Sequence, residues 1–154
     1  MRYGYLLSFV LVGGLMRCCG CAPDAETDRA ALQRADELLK REPAPSFEEF
    51  DRLITELRYR FADPAVDMRI DAMLARNPGY APAHLARANS LFRHGKPEAA
   101  IIEGNLALQN AGRSASIAEL RAIHLLLFRA CELAGDRQAA REHHLWLDHS
   151  RNVD

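Results

Sequence analysis

The chain has 154 residues, a formal net charge of −1 and a hydrophobic content of 49%. This length suits one modest domain, and the hydrophobic content excludes an intrinsically disordered chain. Basic residues are not clustered, which argues against a nucleic-acid-binding protein. Alanine, leucine, arginine and glutamate dominate the body of the chain, and this composition favours α-helix.

Residues 1–20 have the features of a secretory signal peptide. A positive charge at Arg2 precedes an apolar run, which is shorter than the roughly 20 residues that a membrane-spanning helix needs. Three cysteines then crowd together, Cys18, Cys19 and Cys21, whereas the body of the chain contains only Cys131. A single body thiol cannot form an internal disulfide, so the front cluster needs another explanation.

The pair Gly20-Cys21 resembles a bacterial lipoprotein processing site, in which a small residue precedes the cysteine that is lipidated and becomes the new N-terminus. The resemblance implies a lipid on Cys21 and a short tether over residues 21–28. Because Ala22 and not an acidic residue follows the anchor, it also implies the outer membrane of a bacterial envelope, with the chain facing the periplasm. The alternative is a signal peptide that is simply cleaved.

Helical periodicity and turn signals predict seven short helices after the tether, and no segment alternates as a strand does. The first helix begins near Thr27 or Asp28 and ends before Pro43. Ser46 opens the second helix through a capping box with Glu49, in which each side chain accepts from the other residue's backbone amide.

Proline, glycine and acidic residues mark the later boundaries. Asp63 before Pro64 predicts an N-cap for the third helix. The fourth helix runs from about residue 82 to residue 94 and ends at Gly95, a predicted left-handed C-cap. The boundaries of the remaining helices are marked by Pro97, by Ser116 with Glu119, by Gly135 and by Asp136.

Apolar pairs and turn glycines recur with a period of 34 to 40 residues, at Leu38-Leu39, Met73-Leu74 and Ala107-Leu108, and at Gly95 and Gly135. Over residues 78–108 this register resembles the tetratricopeptide repeat (TPR) family, with Ala88 and Ala100 as the small contact residues and Gly95-Lys96-Pro97 as the turn. In the first unit, Phe61 stands where the turn glycine is expected.

The resemblance implies an all-α fold, an α-solenoid of about three TPR-like helix pairs preceded by one extra helix. The repeats would span about 47–78, 81–112 and 117–149, within a helical domain over residues 29–149. A polar tail would follow over residues 150–154. Each pair leaves an apolar face that only its neighbour can cover, so stability is shared along the stack.

In the TPR family, the first helix of each pair lines a concave groove that binds a peptide or a partner helix. The resemblance therefore implies a partner-binding groove that includes Arg58, Tyr59, Leu85, Asn89, Phe92, Arg93 and Arg129, with Asp51, Thr55, Leu125 and Glu132 beside them. Three arginines favour an acidic or carboxylate-bearing partner through forked hydrogen bonds. The alternative is that these arginines are solvated helix surface.

Sequence signatures of catalysis and of metal binding do not occur. There is no glycine-rich phosphate loop, no nucleophile elbow and no His-Glu-x-x-His motif. His143 and His144 are adjacent and point about 100° apart on a helix, so they cannot share a metal ion. Cys131 lies among apolar residues and is expected in the core. We therefore expect no catalytic residues, no metal and no cofactor.

Together these features favour a lipid-anchored adaptor that docks another protein or peptide and does not bind nucleic acid. One alternative is a soluble periplasmic helical enzyme or metal-handling bundle that uses the six histidines. Another is a homo-oligomer, in which the groove receives a neighbouring copy of the chain.

Overall fold

The computed structural model describes residues 25–113 and 115–151, and every regular element in these ranges is an α-helix. Seven helices without strands were expected, and the described ranges confirm this. In chain order the helices are α1 (Ala25–Lys40), α2 (Phe47–Arg60), α3 (Asp63–Arg76), α4 (Ala81–Arg93), α5 (Pro97–Ala111), α6 (Ile117–Ala134) and α7 (Arg137–Ser150).

The leader, the proposed anchor Cys21 and residues 152–154 lie outside the described residues. Within the part of the chain that the structure describes, no helix combines the length and the apolar character needed to span a bilayer.

Side-chain caps fix the N-termini of three helices. The Ser46 hydroxyl accepts from the amide of Glu49 at 3.3 Å, and the Glu49 carboxylate accepts from the amide of Ser46 at 2.9 Å, which completes the predicted capping box of α2. Asp136 caps α7 by accepting from the amide three residues on, at 3.0 Å. Ser116 caps α6 in the same way, but Glu119 does not return the bond, so only half of the second predicted box forms.

The predicted N-cap at Asp63 is wrong. Asp63 is the first residue of α3, and Ala62 occupies the N-cap position without a side-chain hydrogen bond. The Asp63 carboxylate instead lies 3.2 Å from Nη2 of Arg93 and 3.7 Å from Nε2 of His94. The Asp63 carboxylate therefore pairs with side chains at the end of α4 and does not cap the N-terminus of α3.

The turns of the second and third helix pairs depend on glycine. Gly95 and Gly135 follow α4 and α6 with φ angles of 69° and 82°, the left-handed region that favours glycine, as predicted. The turn between α2 and α3 differs, because Phe61 caps α2 with an extended backbone at φ −125°, and these two helices contact each other far less than α4 and α5 do.

Two clusters of buried side chains form the core. The first joins α1, α2 and α3 and reaches Ala83 and Ala86 of α4. The second joins α4, α5 and α6, and includes Leu85, Ile123 and Leu127. Because α4 contributes to both clusters, the core runs along the order of the helices.

Small residues allow α4, α5 and α6 to approach closely. Ala88 and Ala100 are completely buried, and Glu98 is exposed. A Cβ atom built on Gly104 of α5 would lie 2.6 Å from Cδ2 of Leu127 in α6. The close approach of α6 to α5 therefore depends on the absence of a side chain at Gly104.

The last helix is longer than predicted. Ser150, expected in the polar tail, is the final residue of α7 and is 5% exposed. Its hydroxyl donates to the carbonyl of Leu147 at 2.9 Å and accepts from Nε of Arg121 at 3.2 Å. These bonds fix the end of α7 to α6.

Arginines of α3 hold α1 in place. Arg76 donates from Nη1 to the carbonyl of Leu39 at 2.6 Å and from Nη2 to the carbonyl of Lys40 at 3.3 Å. These carbonyls lie at the end of α1 and have no partner within the helix. Arg69 forms an ion pair with Asp36 at 3.1 Å. These polar contacts add to the burial of Ala35 and Leu39 in attaching the first helix.

Candidate functional site

The predicted groove corresponds to the face formed by the first helices of the successive pairs. α2 packs against α4 and α4 packs against α6, whereas α3, α5 and α7 make no contacts as extensive with one another in the described residues. We call the face shared by α2, α4 and α6, on which the predicted residues were expected, the groove.

Five of the predicted groove residues meet around one small cavity between α2 and α4. The cavity has a volume of about 30 Å³, enough for a water molecule. Its lining contains the predicted residues Asp51, Thr55, Arg58, Leu85 and Asn89, together with Phe47, Phe50, Ile54, Pro82 and Ala86.

Arg58 places a positive charge at the floor of this groove. Its Nη2 donates to the carbonyl of Ala86 at 2.9 Å, while its Nε is buried without a hydrogen-bond partner. Burial, and then the like charge of Arg93, lower the pKa of Arg58 from its ordinary value. The structure therefore holds Arg58 inward, where the carboxylates of Asp67, Asp63 and Asp51 partly offset the lowering of its pKa.

The other two predicted arginines differ from each other. Arg93 is half-exposed and its charge is balanced by the ion pair with Asp63 at 3.2 Å. Arg129 is exposed and forms no ion pair or hydrogen bond through its side chain with any described residue. An acidic partner would therefore meet a free guanidinium at Arg129 and a partly neutralised one at Arg93.

The predicted apolar contacts also divide into accessible and inaccessible residues. Tyr59 is 92% exposed. Phe92 is half-buried and packs against the second core cluster. Leu85 is only 4% exposed and belongs to that cluster, so it supports the groove from below. Tyr59 is therefore the accessible aromatic residue of the predicted set.

A second cleft, between α3 and α4, was not predicted. Its volume is about 290 Å³ and its lining includes Asp67, Asp71, Arg87 and Ser90. Ser90 donates to Oδ2 of Asp67 at 2.9 Å, and Arg87 forms an ion pair with Asp71 at 3.2 Å. In the sequence these residues look like ordinary charged helix surface, so no local signal indicates that they face one another.

The histidines meet partners on other helices. Nδ1 of His124 lies 3.0 Å from Nδ1 of His143, and the His124 ring stacks on Trp146 with a centroid distance of 3.9 Å. Both ring nitrogens of His84 contact oxygens at 2.8 Å, one of Glu103 and one a backbone carbonyl. These pairs were not predicted, because histidine spacing within one helix gives no information on partners that lie on another helix.

Histidine, cysteine and acidic side chains are the candidate metal ligands and nucleophiles of the chain. Among the described residues, no group of three or more histidine, cysteine, aspartate or glutamate side chains is arranged to hold a metal ion. Cys131 is 1% exposed, as expected of a core residue, and burial raises the pKa of its thiol. The raised pKa disfavours the reactive thiolate.

Comparison with protein-family models, with curated proteins and with solved structures finds no match for this chain. The TPR family therefore remains a resemblance based on the sequence register. Function has to be inferred from the groove, its charges and its accessible side chains.

Proposed function

We propose that this chain is a membrane-anchored adaptor, in which a TPR-like α-solenoid binds a partner protein or peptide in the groove of α2, α4 and α6. The observation that carries the proposal is the succession of first helices, with α4 in contact with both α2 and α6. This arrangement creates an extended surface from residues far apart in sequence. Repeat proteins bind extended segments on surfaces of this kind.

The charges of the groove indicate the chemistry of the partner. Arg58 contributes a half-buried positive charge at the floor, and Arg129 contributes an exposed guanidinium without a partner among the described residues. A carboxylate pairs with a guanidinium through two parallel hydrogen bonds. Tyr59 supplies exposed aromatic area at one end of the groove. The partner segment is therefore acidic and carries at least one apolar side chain.

The location of the adaptor follows from the leader. A lipid on Cys21 would hold the helical domain at the outer membrane, facing the periplasm, through a tether of only a few residues. Stable anchoring needs more than one acyl chain, because each buried methylene contributes about 0.8 kcal/mol. An envelope assembly whose parts must be held near the membrane is the setting that suits this design.

Site-specific photo-cross-linking in the native envelope tests the groove. A photoreactive residue replaces Asn89 in the groove, and a matched one replaces Met68, which is 64% exposed on α3. We expect a discrete cross-linked protein from position 89 and none from position 68, with the product identified by mass spectrometry. Equal products from the two positions would contradict the proposal, as would a groove position that captures nothing.

A further inference from the structure

The α6–α7 pair forms a further cleft, which we call the terminal cleft. Its volume is about 620 Å³. The floor is apolar: Leu145 is 47% exposed, and the half-buried ring of Phe128 lies 5.4 Å from the ring of His144. The residues used below are Phe128 and Glu132 of α6 and Arg137, Arg141, His144 and Leu145 of α7.

The corresponding face of the preceding pair is covered by a helix. An offset of 40 residues, set by the two left-handed turn glycines, aligns α4–α5 with α6–α7. In α4–α5, Ala88 is completely buried and Gly104 abuts Leu127 of α6. Their counterparts Phe128 and His144 line the terminal cleft instead. No described helix follows α7, so no described helix covers the terminal cleft as α6 covers the preceding pair.

The covered face of α4–α5 and the terminal cleft differ in charge. Arg137 and Arg141 stand at the counterparts of Pro97 and Ile101, so apolar positions in the internal pair become basic in the terminal pair. Both arginines are exposed, and neither guanidinium has a hydrogen bond or ion pair with a described residue. Glu132 is the acidic side chain of the lining, so the two arginines leave the cleft with a positive balance.

We propose that the terminal cleft docks an acidic amphipathic helix of a partner protein, in the place where a further helix of the stack would lie. Apolar side chains one turn apart would cover Phe128 and Leu145. Carboxylates on the flank of the same helix would pair with Arg137 and Arg141 through charge-assisted hydrogen bonds. This surface shares Glu132 with the predicted groove residues, whereas its apolar floor and its two arginines lie outside the predicted groove set.

Binding of a synthetic peptide to the purified protein tests the proposal. The probe is a helical peptide of roughly 16 residues, with leucine at every third or fourth position and glutamate beside them. A matched peptide carries lysine in place of each glutamate. We expect fluorescence anisotropy to show binding of the glutamate peptide alone. Replacing Arg137 and Arg141 together by alanine should weaken this binding about tenfold or more.

Two controls separate this surface from the groove and from a loss of folding. Arg129→Ala removes a groove arginine and should leave the affinity for the glutamate peptide unchanged. Reversing both charges, Arg137→Glu with Arg141→Glu, should transfer binding to the lysine peptide, a gain that a misfolded variant cannot produce. Helix content measured by circular dichroism should be the same in all variants.

Three results would overturn the proposal. The first is unchanged binding of the glutamate peptide to the folded double alanine variant. The second is equal binding of the two peptides, which would reduce the cleft to an apolar surface. The third is self-association of the wild-type protein, measured by sedimentation and abolished in the double alanine variant, which would assign this face to a second copy of the chain.

Discussion

At the scale of single residues, the closest helix contacts are the most sensitive positions. Ala100 of α5 is completely buried, whereas Glu98, two residues earlier, is exposed. We expect Ala100→Leu to destabilise the fold by about 1–3 kcal/mol, because overpacking forces neighbouring side chains out of their rotamers. Glu98→Leu adds a leucine to the same helix turn and should change the free energy of unfolding by less than about 0.5 kcal/mol. Urea denaturation of both variants provides the measurement, and equal midpoints would contradict the repeat register.

The same residues show how far sequence reasoning reaches. Ala88, Ala100 and Cys131 were predicted as buried contacts because small residues at helical spacing in an apolar context have few other uses. The contacts of Arg58 and Asp63 were not predicted, because their partners lie 28 and 30 residues away in the chain. Local spacing identifies the side of a helix that is buried. It does not identify the distant charge that will face a polar side chain.

At the scale of helices, the contact between α6 and α7 depends on neutral histidines. His124 is 8% exposed, stacks on Trp146 and lies 3.0 Å from His143. Burial, and then the neighbouring His143, lower the pKa of His124 to about 4 from its usual 6.5. Burial also lowers the pKa of His143, against the opposing influence of Glu142. One imidazole donates to the other only while at least one of them is neutral.

This arrangement predicts that the protein loses stability in mild acid. Below pH 6.5 the unfolded chain takes up the His124 proton, while the folded chain resists it until about pH 4. The contribution of neutral His124 to the free energy of unfolding is therefore complete above pH 6.5. It declines as the pH falls through this window, by on the order of 2 kcal/mol between pH 7 and pH 5. Denaturation followed through Trp146, the single tryptophan, measures this loss.

Matched variants identify the histidine responsible for the acid sensitivity. His124→Phe keeps an aromatic ring against Trp146 and should lose clearly less stability than the wild type between pH 7 and pH 5. His149→Gln alters an exposed histidine of the same helix pair and should behave like the wild type. The same loss in the His124 variant and in the wild type would assign the acid sensitivity to other groups.

Helix boundaries were largely predictable from the sequence, whereas the contacts between helices were not. Ser46 with Glu49, Gly95, Gly135 and Asp136 act through bonds or backbone angles within a few residues, and each was recognised in the sequence. The pairing of His124 with His143 depends on how α6 and α7 are rotated about their axes. Periodicity gives the buried face of each helix to within about one residue per turn, which is too coarse to predict a contact between two rings.

At the scale of the whole molecule, the proposed anchor gives a direct prediction. Replacing Cys21 by serine removes the thiol that would carry the lipid, so the variant should appear in the soluble envelope fraction. Carbonate washing of membranes followed by immunoblotting measures the distribution. A Cys18→Ser variant is the matched control and should stay in the membrane fraction. Retention of the Cys21 variant after the wash would contradict lipid anchoring at this residue.

The groove gives a second prediction at this scale, once a partner has been identified by cross-linking. Replacing Arg93 and Arg129 together by alanine should weaken binding by on the order of a hundredfold if each charged hydrogen bond contributes about 1.5–3 kcal/mol. Arg129→Ala should account for most of this loss, because Arg93 is already paired with Asp63. Calorimetry at two salt concentrations should show weaker wild-type binding at high salt. Unchanged affinity in a folded double variant would place the ligand elsewhere.

The attachment of α1 has a mechanical consequence under the proposed anchoring at Cys21. α1 buries Ala31, Ala35 and Leu39, packs the partly buried Leu32 and Leu38 against the first core cluster, and accepts the Arg76 bonds at its last carbonyls. Tension on a lipid anchor at Cys21 would reach α1 before the other described helices. Unwinding 16 residues from a helical rise to an extended one lengthens the tether by about 30 Å. Under the proposed anchoring, unfolding of α1 would therefore extend the reach of the domain by this length while the later helices stay folded.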